Sequence, residues 1–87
     1  MTFQGAFIAA HNLSFMVVLV NKSIIDDRAR AEQTIQFFQS RLASTPTVLM
    51  ARDYYGTPSA YYGRRDIALI LARMPPETLE WKEFSIA

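Results

Sequence analysis

The stretch Ser14-Phe15-Met16-Val17-Val18-Leu19-Val20 decides the fold class. A strand sends successive side chains to opposite faces. Phe15, Val17 and Leu19 make one apolar face, and Met16, Val18 and Val20 make the other. A strand with two apolar faces belongs inside a sheet that is covered on both sides. Upstream, Phe3 to Ala9 alternates weakly, with Phe3 and Phe7 on one side and Gln4, Ala6 and Ile8 on the other. His11-Asn12 separates the two segments as a turn-forming polar pair, so a hairpin is expected.

Downstream the apolar period lengthens to that of a helix. Ile24, Ala31, Ile35, Phe38 and Leu42 fall on one stripe. Ser23-Ile24-Ile25-Asp26 has capping-box spacing, with Asp in place of Glu or Gln. Asp26 and Asp27 sit where the helix dipole favours acids, and Arg41 where it favours bases. Ser44-Thr45-Pro46 marks the exit.

Thr47 to Arg52 reads as a strand, Asp53 to Ser59 as a turn region, and Ala60 to Tyr62 as a short strand. Ile67, Ile70, Leu71 and Met74 match helical spacing, with Asp66 at the start and Pro75-Pro76 as a stop. Leu69 falls on the opposite side of that helix, so a buried strand is the competing reading. Leu79 to Ile86 reads as a last strand, with Leu79 and Trp81 opposite in phase to Phe84 and Ile86.

This order is βαββαβ behind an extra N-terminal strand. It predicts an α+β fold of the ferredoxin-like split pattern, with both helices on one face of the sheet. The 87 residues fit a single domain spanning 1–87. A chain this short buries only about 60–65% of its unfolded surface. Its 51% hydrophobic and 13% aromatic content offsets that thin margin. With no cysteine, neither disulfides nor sulfur ligation contribute.

A formal charge of +1 gives no bulk attraction to nucleic acid or to anionic membrane. Phe15 to Val20 is far shorter than the ~20 apolar residues of a spanning helix. No basic region precedes an apolar run at the N-terminus, so a cytoplasmic, bacterial protein is expected.

The residues that carry chemistry are sparse. His11 is the one histidine and has no triad-like or metal-like neighbours in sequence, so it reads as a surface turn residue. Asp26 and Asp27 point about 100° apart on a helix, which suits the dipole better than a shared ligand. Glu77, Glu80 and Glu83 read as a solvated acidic rim. Three glycines preclude both the dinucleotide fingerprint and the Walker loop. No cofactor and no metal are expected.

Tyr54-Tyr55-Gly56-Thr57-Pro58-Ser59-Ala60-Tyr61-Tyr62-Gly63-Arg64-Arg65 holds all four tyrosines, in two Tyr-Tyr-Gly units followed by two arginines. Tyrosine offers an apolar ring and a polar tip, and aromatics interleaved with Arg suit stacked bases and phosphates. Alternation along a strand would instead send one ring of each pair into the core. Gly56-Thr57-Pro58-Ser59 resembles the Thr-Pro element of thioredoxin-like folds, whose proline is cis. No Cys-x-x-Cys accompanies it, so no redox activity is implied. The chain order is also similar to that of RNA-recognition domains, but their aromatic third-strand motif has no match around Ala60 to Arg65.

Phe37 lies about 120° from the Ile35/Phe38 stripe, beside Arg30 and Arg41, and is a candidate contact surface. The leading expectation is a non-enzymatic binding or interaction domain that self-associates as a homodimer, through Phe37, Arg30, Arg41 and the Tyr/Arg segment. One alternative is single-stranded nucleic-acid binding by Tyr54, Tyr61, Tyr62, Arg64 and Arg65. Another is a small-molecule or enzymatic pocket where Asp53, Arg64, Arg65 and Asp66 converge.

Overall fold

The structure is a computed structural model that describes residues 2–10, 12–75 and 78–86. The expectations for His11 and Glu77 fall outside the described residues. In chain order the elements are β1 (Thr2–Ala10), β2 (Leu13–Leu19), α1 (Lys22–Ile25), α2 (Arg28–Arg41), β3 (Thr47–Arg52), β4 (Pro58–Tyr62), α3 (Arg65–Arg73) and β5 (Lys82–Ser85). This is an α+β chain with a mixed sheet and helices packed against it. Its element order is consistent with a ferredoxin-like fold plus an extra N-terminal strand.

The sheet runs β4-β3-β2-β1-β5. β1 and β2 form the expected antiparallel hairpin, from Gly5 opposite Val18 to Ala10 opposite Leu13. β5 closes the other edge of β1, with Phe3 opposite Phe84. β2 and β3 lie side by side and parallel, joined by the crossover through α1 and α2. β4 returns antiparallel to β3.

The long helix expected over 23–42 divides at Asp26-Asp27. The Ser23-Asp26 capping box is not formed. Asp27 is the N-cap of α2 instead, and its carboxylate accepts from the Arg30 backbone N–H at 3.2 Å. Asp26 pairs with the exposed Lys22 ammonium at 3.0 Å. A box anchored one turn earlier would have carried one straight helix through Asp27, whose extended ψ of 102° breaks it.

The expectation that both helices share one face is corrected. Ile67 and Leu71 of α3 pack with Phe15, Val17, Val48 and Met50. Ala31 and Phe38 of α2 pack with Met16, Val18 and Leu49 on the opposite side. The reason lies in the two central strands, β2 and β3. Each is apolar on both faces, so each face needs its own cover. The segment 67–74 is therefore helical, and Leu69 stays half-exposed on its solvent side.

Phe15 is fully buried and is among the largest side chains at the centre of the α3-side core. Replacing it with alanine would cost about 3–5 kcal/mol, a large share of what so small a domain holds. On the α2 side, Phe3 meets Phe38 edge-on at 4.7 Å and stacks on Phe84 at 5.3 Å. These rings tie β1, β5 and α2 together.

Candidate functional site

The β3–β4 hairpin carries the most distinctive stretch of sequence. Its turn is built by Asp53, whose carboxylate accepts from the backbone N–H of Tyr55 at 2.9 Å and of Thr57 at 3.0 Å. Gly56 supplies the left-handed backbone, with φ at 81°. Strand alternation stops at Arg52, so neither Tyr54 nor Tyr55 enters the core. They are 96% and 87% exposed, edge to face at 5.5 Å. This corrects the expectation of one buried ring per pair. No peptide bond among the described residues is cis, so Thr57–Pro58 departs from the thioredoxin-like pattern too.

Tyr61 and Tyr62 lie within β4 and do diverge. Tyr61 packs on the α3-side core and Tyr62 on the α2-side core. The Tyr62 hydroxyl donates to Glu32 Oε1 at 2.9 Å. That bond to a carboxylate holds the Tyr62 phenol above the ordinary tyrosine range. Burial pushes the Tyr61 phenol up as well.

The candidate ligand residues are not brought to one surface. Tyr54 sits at the hairpin tip, Tyr61 and Tyr62 take opposite faces, and Arg64 and Arg65 follow the far end of β4. Arg64 is engaged with Asp66 at 2.8 Å, which lowers the Asp66 carboxyl below its ordinary range. Asp53 and the Arg64–Asp66 group thus flank β4 from opposite ends, and the pocket expected from their convergence is not formed. Tyr62 and Arg64 instead share a cleft of 460 Å³ with Arg28 and Glu32.

Phe37 is half-buried rather than offered outward. Its ring meets Phe38 at 5.3 Å, and the Arg41 guanidinium covers it at 3.9 Å. Arg30 is exposed on α2. Phe37 is a wall of an open groove of 780 Å³. The groove runs from the carboxyl ends of β2 and β3 along α2 to the first residues of β1. Phe3, Ile24, Phe37 and Phe38 supply its apolar walls. Asn21, Gln33 and Thr34 add neutral polar groups, and Lys22 and Arg52 are the cations among its described lining residues. Among the described residues, no carboxylate and no histidine lines it.

The position follows a general rule. In open sheets, ligands settle in the crevice outside the carboxyl ends of parallel strands. Sequence reasoning missed Phe3, Ile24 and Arg52 because chain order does not reveal that β2 and β3 are parallel neighbours. The available signal was an arginine closing the apolar run Val48 to Ala51, directly before a turn.

Among the described residues, no group of three or more acidic or histidine side chains stands ready to hold a metal ion, and no helix is long and apolar enough to cross a membrane. Comparison with family models, curated proteins and solved structures finds no match for this chain.

Proposed function

We propose that this chain is a non-enzymatic binding domain that takes a small, largely apolar molecule in the groove at the carboxyl ends of β2 and β3. The observation that carries this reading is the groove itself. Its 780 Å³ lies within the range of roughly 300–1,000 Å³ typical of small-molecule sites. Aromatic walls with a few polar groups are the usual lining of such sites. A binding role is favoured over catalysis because, among the described residues, the lining offers no carboxylate or histidine as a general base.

The test is titration with Nile red, a neutral apolar dye, followed by its emission. Saturable binding is expected to the parent chain and to Tyr54→Ala/Tyr55→Ala. It is expected to vanish in Thr34→Trp, which fills the groove from α2. Binding unaffected by Thr34→Trp, or no binding to the parent, would reject the groove as the site.

The tyrosine pair at the hairpin tip supports a second reading, self-association. Two rings exposed to 96% and 87% are more than a lone chain needs at a turn. Sedimentation equilibrium should then show a dimer that Tyr54→Ala/Tyr55→Ala dissociates. A monomer at all concentrations would remove this second reading and leave the first intact.

A further inference from the structure

β4 is the uncharged edge of the sheet. We infer that two copies of this chain pair β4 against β4 in antiparallel register, with the tyrosine tip of each copy against Arg65 of the other. One sheet then runs through both copies. This inference rests on the self-association reading above and deepens it by naming the surface and its register.

The open backbone is the first argument. β4 ends the sheet, and among the described residues its backbone bonds only to β3. The outward N–H and C=O groups of such a strand are a template for another strand. β5, at the other edge, is four residues long and carries the exposed charges of Lys82 and Glu83. Short length and charge keep an edge single. β4 has five residues and no charge, and Pro58 stands at its first position, where it withholds only an end donor.

Complementary ends are the second argument, and they select a second copy as the occupant. Antiparallel strands run in opposite directions, so the start of one lies beside the end of the other. Tyr54 and Tyr55 precede β4, and Arg64 and Arg65 follow it. Pairing centred on Ala60 therefore brings the tyrosine tip of one copy to the arginine end of the other. Arg64 is held by Asp66 at 2.8 Å. Arg65 is exposed and joins no ion pair among the described residues. A guanidinium over an exposed tyrosine ring is a favourable contact. The Asp53 carboxylate brings a negative charge to the same end as the tyrosines. Two-fold symmetry makes each of these contacts twice.

Order at the tip is the third argument. Two bonds to the Asp53 carboxylate fix the turn, and the two rings rest edge to face at 5.5 Å. Rings already held in place lose less entropy on association.

The test combines sedimentation equilibrium with cysteine crosslinking. The chain has no cysteine, so a disulfide in a single-cysteine variant joins two copies. Opposed residues of antiparallel strands lie about 4.5–5.5 Å apart at Cα, inside the roughly 4.4–6.8 Å span of a disulfide. Ala60→Cys is expected to give a crosslinked dimer on treatment with diamide, and Lys82→Cys on the β5 edge is expected to stay uncrosslinked. Arg65→Glu should weaken the dimer at least about fivefold, the scale of two exposed cation–π contacts. The new acid sits in the first turn of α3, where the helix dipole favours it, so folding is preserved. A dimer by sedimentation with no preference for crosslinking at Ala60 would overturn the β4 pairing and leave the self-association reading in place. An unweakened dimer in a folded Arg65→Glu chain would do the same. A monomer at all concentrations would overturn both.

Discussion

Replacing Gly63 by alanine should damage this domain well beyond the same change at Gly56. Both glycines have positive φ, at 158° and 81°. At Gly56 an added Cβ meets nothing within 4 Å. Only the backbone penalty remains there, about 1–2 kcal/mol. At Gly63 the new Cβ would lie 3.0 Å from Val48 Cγ2 and 3.2 Å from Val48 Cα. Carbon atoms prefer about 3.5–4.0 Å. Val48 is fully buried in β3, between β2 and β4, so it has no free direction in which to retreat.

Overpacking of this kind costs about 1–3 kcal/mol, and the backbone adds about 1–3 more. The expected loss is therefore about 2–6 kcal/mol, against a total of about 4–13 kcal/mol for a chain of this length. At about 4–8 °C per kcal/mol, the melting temperature should fall by at least about 8 °C. Urea unfolding followed by Trp81 emission measures both variants against the parent. Equal losses at the two glycines would refute the reasoning, because it makes the Val48 contact the source of the difference.

Two further predictions concern the helices and the tyrosines. Asp27→Ala should destabilise by about 1 kcal/mol through loss of the α2 cap, whereas Asp26→Ala should stay within about 0.5 kcal/mol because its ion pair is exposed. Thermal unfolding of both variants checks this, and a larger loss at Asp26 would restore the rejected capping box. Tyr62 ionises above the ordinary tyrosine value in the folded chain, so between those two values the native state holds the proton that the unfolded state has released. Stability should fall as pH rises from about 10 upward, and less steeply in Tyr62→Phe. Urea midpoints across that range decide it, and identical slopes would remove the Glu32 bond as a cause.

Local patterns along the chain were enough to place the elements. The doubled apolar faces of Phe15 to Val20, the helical stripe from Ile24 to Leu42 and the proline stop after Met74 are short-range signals, and the structure holds an element at each. Opposite phases for Leu79/Trp81 and Phe84/Ile86 also hold, since those pairs join different cores. The candidate site was far less legible. The turn region expected from Asp53 to Ser59 is present, but the Asp53 carboxylate organises it so that Tyr54 and Tyr55 do not alternate between core and solvent as a strand pair would.

What the sequence determined by itself was the character of each segment, because periodicity and end signals act over a few residues. Tertiary structure alone decided which strands are neighbours and which face each helix covers. Those choices depend on burying two apolar faces at once, a condition on the whole chain. The same choices set β2 beside β3, opened the groove at their carboxyl ends and brought Arg52 over Trp81, residues 29 apart in sequence that no local pattern connects.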